Sequence, residues 1–449
     1  MDTILVYARP WNSDQFEDLS NLIWPSSEKK YISEHRETDG SGFFERFYEN
    51  YGVQSNHLKS SDISFLSVLQ IDNMIARCRL LRSLDKSVAL KMLNSAGLAM
   101  QDIFDEFEPS YVLSVTVDSY IIHLLSIISE SRGIRFIGLV PTFINGYFRI
   151  TTCGAKGAER LVSDEELNEV KHSLLDKTYK PSWLVSNKRD INKKANRMWL
   201  RNFIKPIWFL LLSYYKGDRF NAHYMTSRII SQRYWSFFPR SYSGLDSIAR
   251  ITTELDKTSK PVFFLPLQMS PEATIDYWSS DTSWIDYECK VLEVIRSNSE
   301  KSVFLIKEHP NVLGFRSRDF YKKLGALDNV VLVSPEIPSN EILDISDAVV
   351  VCTGTVGLEA LLRGKVVFSD SSPFYAKLDK FRPCAAISEF VSVSLNQNDS
   401  DSDSDSLVRY VLGGFSRGVF LNDGSWKKGN EQHKQWNMTI ASSISETLI

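Results

Sequence analysis

The sequence predicts an α/β protein built on two parallel sheets, one in each half of the chain, facing a central cleft. Three observations carry this expectation. Between 111 and 140 the runs YVLSVTVD, SYIIHLLSIISESRG and IRFIGLV follow one another with short joints. Strand, helix and strand in that order form a βαβ unit, which requires a parallel sheet with a right-handed crossover. From 261 to 370, β-branched apolar runs alternate with segments of helical spacing. Finally, 449 residues fill two ordinary domains, because a single core stops growing at a few hundred residues.

Taken in order, TILVYA is a buried first strand that breaks at Arg9 and Pro10. Aromatic and charged residues then mix without clear periodicity to about residue 60. Phe65 to Leu98 carries leucines at helical spacing and reads as helix in two pieces. After the βαβ unit comes a basic and aromatic stretch, SNKRDINKKANRMWLRNFIKPIWFLLLSYY, with seven cations against Asp190. It is either an inserted helical hairpin packing on the first domain or a surface suited to an anionic membrane or lipid-linked substrate, since cations beside tryptophan and phenylalanine fit the headgroup zone. The second α/β half runs through PVFFLPLQ, SVFLIKEHP, NVVLVSP, AVVVCTG and KVVFSD, with helices between them. The run NQNDSDSDSDS, 396–406, has too little apolar area to fold and reads as a solvated loop. The predicted boundaries are 1–176 for the first domain, 177–250 for a helical insertion or linker, 251–430 for the second domain and 431–449 for a helix crossing back to the first.

Composition narrows the classes. Hydrophobic residues at 43%, charged residues at 24% and a net charge of −3 are ordinary for a soluble protein and disfavour a nucleic-acid binder. Cys78, Cys153, Cys289, Cys352 and Cys384 are scattered and odd in number, which predicts reduced thiols in a cytoplasmic protein. The N-terminus lacks the pattern of a signal peptide, and no apolar run reaches the ~20 residues that span a bilayer. The seven histidines form no metal signature, and neither HExxH nor GxSxG occurs, so no metal and no serine hydrolysis are expected.

Chemistry is expected where loops leave the carboxyl ends of parallel strands. In VVVCTGTVGLEALLRG, Thr353, Gly354, Thr355 and Gly357 open a helix bearing Glu359. Small residues there let backbone N–H groups approach a phosphate; the alternative is a tight turn with structural glycines. In KEHP, Lys307 and His309 share one side and Glu308 takes the other, with Pro310 holding His309 extended, and Lys307 and Glu308 are both donor-binding candidates. Lys307 can neutralise an anion and His309 can donate to a phosphate, or His309 is a plain loop histidine. PLQMSPEAT presents Gln268 and Glu272, the latter as a ligand carboxylate or a helix cap. In the first half, Asp118 is either a helix N-cap or the carboxylate that deprotonates an acceptor hydroxyl. His123, Arg149, Arg197 and Arg201 are candidates for holding an anionic acceptor.

PLQMSPEAT, then KEHP with Gly314 beyond it, then ISDAVVVCTGTVGLEALLRGKVVFSDSSPFY, resemble the bacterial capsule polysaccharide biosynthesis proteins, a group that includes Kdo-adding transferases, and more broadly the GT-B glycosyltransferases. The likeness covers roughly residues 260 to 376. It implies two Rossmann-like halves, with a CMP-, UDP- or GDP-sugar donor held by the C-terminal half and an oligosaccharide or lipid-linked glycan acceptor held by the N-terminal half. It implies His309 at the donor phosphate, Thr353, Gly354 and Thr355 around that phosphate, Glu359 at the ribose or base, and Glu272 facing donor or acceptor. Gln268 stands where related chains often have histidine. The activity implied is sugar transfer without a cofactor, at the inner face of the membrane if the basic segment binds lipid. A UDP-sugar 2-epimerase and a non-catalytic scaffold of capsule assembly or export are the alternatives.

Overall fold

The computed structural model describes residues 2–55, 57–154, 157, 159–176, 188–233, 242–279, 282–313, 316–383, 404–422 and 424–448. Its strands are β1 (Thr3–Tyr7), β2 (Glu28–Ile32), β3 (Tyr111–Val115), β4 (Arg135–Pro141), β5 (Tyr147–Ile150), β6 (Val262–Pro266), β7 (Val303–Lys307), β8 (Val330–Val333), β9 (Ala348–Val350), β10 (Val366–Ser369), β11 (Phe381–Pro383) and β12 (Ser416–Arg417). Two compact units divide the chain. Met1–Leu161, Leu211–Thr226 and Leu412–Ile449 form the first; Val162–Leu210 and Ser227–Val411 form the second. The protein is therefore an α/β molecule with two sheet-containing units and largely parallel strands, the class expected from the sequence.

The first unit holds a six-stranded sheet in the order β12-β5-β4-β3-β1-β2. Strands β2, β1, β3 and β4 are parallel, and β5 and β12 join antiparallel at one edge. Ile4, Leu5, Val6 and Tyr7 have no exposed surface, as a strand covered on both faces requires. The helix Tyr120–Ser131 returns the chain from β3 to β4, and its Ile121, Ile122, Leu124 and Leu125 are buried. The expected two-piece helix is Val68–Arg77 followed by Lys86–Phe107. The helix Glu431–Leu448 lies against Ser13–Ile23, where Gln15 Nε2 donates to Asn437 Oδ1 at 3.2 Å.

In the second unit all six strands are parallel, in the order β11-β10-β9-β6-β7-β8. Phe263, Phe304 and Phe368 from three strands meet in one core, with the first two stacked at 5.8 Å. The basic stretch forms the helix Lys188–Tyr215, followed by Ala222–Arg233. Its start belongs to the second unit, whose core Ile191 and Ala195 enter, while Leu211–Thr226 belong to the first. One expectation changes at the acidic run, where a helix, Ser404–Gly413, begins inside the stretch expected to be loop. Its Leu407, Val408, Val411 and Leu412 share one buried face, and Lys171 pairs with Asp405. Residues 396–403 of that run lie outside the described residues.

Candidate functional site

The strand order of the second unit fixes where a ligand can enter. The chain runs outward from β6 through β7 and β8, then returns to place β9 on the other side of β6. Loops leaving β6 and β9 diverge at this reversal, and the opening at the carboxyl ends of the two strands is the usual ligand position in open α/β sheets.

Gln268 ties those two loops together. Its Oε1 accepts from the backbone N–H groups of Cys352 at 3.1 Å and Thr353 at 3.0 Å, while Nε2 donates to Thr353 Oγ1 at 3.2 Å. A primary amide can accept two bonds on one atom and donate from its neighbour, which fits this split task. The Thr353 hydroxyl in turn donates to the Thr274 carbonyl at 3.1 Å. Two of the glycines at this turn pack against the protein's own side chains. A Cβ on Gly354 would stand 3.2 Å from Gln268 Cδ, and one on Gly357 would stand 2.4 Å from the Tyr375 hydroxyl. Thr355 precedes a helix, Val356–Leu362, of only seven residues.

The KEHP loop follows β7. Glu308 is completely buried, with its carboxylate accepting from Arg316 Nε at 2.7 Å, the Tyr321 hydroxyl at 2.6 Å and the His309 N–H at 2.7 Å. It therefore faces the interior and supports the loop from beneath. Arg316 also donates to the Gln268 carbonyl, so one guanidinium joins the β6 and β7 loops. Lys307 Nζ reaches Ser339 Oγ at 3.2 Å. His309 Nδ1 accepts from Asn311 N–H at 3.2 Å, which selects the tautomer with its proton on Nε2. Burial, reinforced by the charges of Lys307, Arg316 and Lys194, holds the imidazole neutral with a pKa of about 3. Lys194 comes from the basic helix, as one of its seven cations.

Glu359 follows on the helix after β9. Burial raises its pKa to about 7, against the pull of Lys307 and Arg363. An unfolded glutamate titrates near ~4.3, so the native state keeps a proton that the unfolded chain loses between these values. Stability from this group is complete below the unfolded pKa and lost as pH rises through the folded one. Glu359→Gln is expected to gain stability over the parent as pH is raised from ~5.5 to ~8. Urea midpoints at the two pH values check this, and a constant gap counts against it. Glu272 occupies the N-cap position of Ala273–Asp276 without a side-chain capping bond; its Oε2 accepts from Thr274 Oγ1 at 2.8 Å.

The first unit repeats the same logic. Here the chain runs from β1 to β2 and returns to place β3 on the other side of β1. The residues that follow β1 and β3 include Arg9 and Asp118, and they meet in a two-pronged pair, Nη1 to Oδ2 at 2.8 Å and Nη2 to Oδ1 at 2.9 Å. Arg9 Nε donates to Glu34 Oε1 at 3.1 Å and to the Tyr7 hydroxyl at 3.0 Å, and that hydroxyl donates to Glu34 Oε2. Ser119, not Asp118, is the N-cap of Tyr120–Ser131. The Asp118 side chain keeps 29% of its surface exposed against 12% for Arg9. Burial raises the pKa of Asp118, but the charge and hydrogen bonds of Arg9 outweigh it and hold the carboxylate below its ordinary value.

Around this pair, Asn221 Nδ2 donates to the Glu34 carbonyl at 3.0 Å and to Asp218 at 2.7 Å, and the His35 ring lies beside those of Trp11 and His223. Arg9, Glu34 and His35 had no local sequence signal beyond the end of a strand. His123 sits one turn into the helix as a neutral imidazole, its pKa lowered to about 4 by burial and by Arg77. Arg149 is 3% exposed, donates to the Gly154 carbonyl and lies over the Phe415 ring. Arg197 and Arg201 are exposed on the helix Lys188–Tyr215. A cavity of about 530 Å³ along β12, bordered by Arg160, Arg417 and Glu446, includes none of these residues. Among the described residues no group of three or more histidine, cysteine, aspartate and glutamate side chains is arranged to hold a metal ion.

Residues 202–378 match the family model described as capsule polysaccharide biosynthesis protein. No curated protein matches the chain. Among solved structures, KpsC of Thermosulfurimonas dismutans, a beta Kdo 2,7 transferase, aligns at 14% identity over 98% of this chain and 100% of its own, with a TM-score of 0.37. The beta Kdo 2,4 transferase of the same KpsC aligns at 12% identity over 74% of this chain and 87% of its own, with a TM-score of 0.33. The UDP-GlcNAc 2-epimerase of Methanocaldococcus jannaschii aligns at 11% identity over 99% of this chain and 98% of its own, with a TM-score of 0.22. None of the three decides a reaction for this chain.

Proposed function

We propose that the protein is a GT-B glycosyltransferase that moves a sugar from a CMP-, UDP- or GDP-linked donor to a hydroxyl of a surface polysaccharide or lipid-linked glycan, without a metal. The observation that carries this reading is the set of groups after β7 and β9: a cation at Lys307, an imidazole at His309 with its proton on Nε2, and Glu359, whose carboxyl pKa is pushed up by burial. In the proposed step the acceptor oxygen attacks the anomeric carbon and the bond from that carbon to the phosphate oxygen breaks. Asp118 takes the hydroxyl proton, while Lys307 and the His309 Nε2–H receive the charge that develops on the phosphate. Thr353, Gly354 and Thr355 line the same reversal and take the phosphate side, and Glu359 the ribose or base. Glu272 is assigned to the donor. On this reading Gln268, Glu308 and Gly357 serve the donor indirectly, by holding the loops. Cytoplasmic placement at the inner face of a membrane belongs to the same proposal, supported by the cations of the helix Lys188–Tyr215.

The test is a panel of CMP-, UDP- and GDP-sugars, with chelator present, read by thermal shift and by mass spectrometry with a crude glycan acceptor. Mass gain on the acceptor supports transfer. Conversion of the donor sugar without acceptor overturns transfer in favour of epimerisation, and no shift with any donor overturns nucleotide-sugar binding. His309→Ala is expected to keep the fold and lower donor-dependent turnover at least about tenfold. Wild-type donor kinetics in that variant would remove His309 from the site.

A further inference from the structure

The helix Lys188–Tyr215 is amphipathic in the reverse sense. At ~100° per residue, Ile191, Ala195, Asn202 and Ser213 fall on one side of the helix, and all four are buried. On the opposite side Leu200, Ile204, Ile207, Trp208, Leu211 and Tyr215 form a stripe, exposed from 53% at Ile204 to 88% at Tyr215. A helix that packs on a protein core and faces water turns its apolar side inward. Beyond its first turns, where Ile191 and Ala195 are buried, this one gives the protein Asn202, Pro206 and Ser213 and turns aromatic and aliphatic side chains outward. Contiguous exposed apolar surface of this kind marks an interaction site.

The charges say what covers it. Arg189, Lys193, Arg197 and Arg201 project from the same outward side in the preceding turns and are exposed, in a chain whose net charge is −3. Tryptophan and tyrosine belong to the level of lipid headgroups, where one part of the ring is apolar and the other wet. Basic residues beside such a stripe are drawn to anionic lipid. Among the described residues no helix is long and apolar enough to cross a membrane. We infer that Lys188–Tyr215 is an in-plane docking helix for an anionic bilayer: its leading turns meet lipid phosphates, and Leu200 to Tyr215 enter the boundary between headgroups and acyl chains.

This deepens the membrane placement proposed above and rests on no part of the transfer reaction, so its test contains neither donor nor acceptor. The full-length protein is sedimented with vesicles of phosphatidylcholine alone and of phosphatidylcholine with ~30% phosphatidylglycerol. Recovery is expected with the anionic vesicles and is expected to fall as salt is raised. Lys193→Glu with Arg197→Glu should lower the apparent affinity at least about tenfold. Ile204→Ser, Ile207→Ser and Trp208→Ser together should lower it comparably with an unchanged melting curve, because these side chains are already exposed. Equal recovery with the two vesicle types, or none with either, overturns the inference. So does a dimer in sedimentation velocity that the serine variant dissolves while vesicle binding is absent, since a second copy of the chain would then be the occupant.

Discussion

Replacing Arg316 with alanine is expected to lower the unfolding free energy of the second unit by about 3–5 kcal/mol, the usual cost of stranding one member of a buried ion pair. The pair is inaccessible to water: the Arg316 and Glu308 side chains are 2% and 0% exposed. Glu308 already has Tyr321 and the His309 N–H as partners, but these supply hydrogen bonds and not a counter-charge. Without Arg316 the carboxylate must remain ionised in an apolar setting or take up a proton, and both cost stability. The guanidinium also lies over the Tyr287 ring at 4.8 Å and donates to the Gln268 carbonyl, so the loss extends to the loop after β6. Glu308→Gln should destabilise as well, because it leaves Arg316 charged and unbalanced. The double variant should lose less than the sum of the two, with a coupling of at least about 1 kcal/mol in the cycle. Urea unfolding measures all three, and a parental midpoint in Arg316→Ala would remove the pair from the forces holding the site.

The same pair shows where sequence reasoning stops. Glu308 sits in KEHP beside two residues placed at the ligand, and nothing local distinguishes it from them. What separates it is Arg316, eight residues on and beyond the turn after Pro310, whose position depends on the packing of Tyr287 and Phe320. Arg9 is the parallel case. Read along the chain it is only the residue that ends a strand, because its partners Glu34 and Asp118 lie 25 and 109 residues away. Strand reversal brings the ends of β1 and β3 together, and that order is a property of the sheet and not of any short stretch.

Strands that are covered on both faces were legible, because burial on both faces demands an unbroken apolar run: β1, β3, β6 and β7 are of this kind. β2, with the sequence EKKYI, was not. It stands at the sheet edge with most of its residues only partly buried, and pairing with β1 supplies what its own residues do not. β11 and β12 are three and two residues long, too short to carry a period. In the acidic run, composition outweighed the signal that mattered, the spacing of Leu407, Val408, Val411 and Leu412. At Gly354 and Gly357 the need for small residues was legible, but what approaches them is Gln268 and Tyr375. A sequence can mark a close approach without naming what makes it.

Asp118→Asn is expected to lower turnover by about 10²–10⁴, the range for a lost general base, while leaving donor affinity at the parental value. The geometry adds a sharper expectation through Arg9. In the folded protein the Asp118 carboxyl is held below its ordinary pKa because Arg9 outweighs the effect of burial. The carboxylate is then fully ionised across the neutral range, and the acid limb that it imposes on the pH–rate profile lies below that range. Arg9→Met removes the lowering influence and keeps most of the burial, so the pKa of Asp118 should rise and the acid limb move toward neutrality. Activity lost at mildly acidic pH should then return as pH is raised. That pattern separates Arg9 as a positioning residue from a merely structural one, whose loss would depress the profile without shifting it. Asp118→Asn should show no such limb at all. An unshifted limb in Arg9→Met would detach Arg9 from the base, and parental turnover in Asp118→Asn would mean that the proton of the acceptor goes elsewhere, with Glu34, held at the same guanidinium by Nε at 3.1 Å, the next carboxylate to replace.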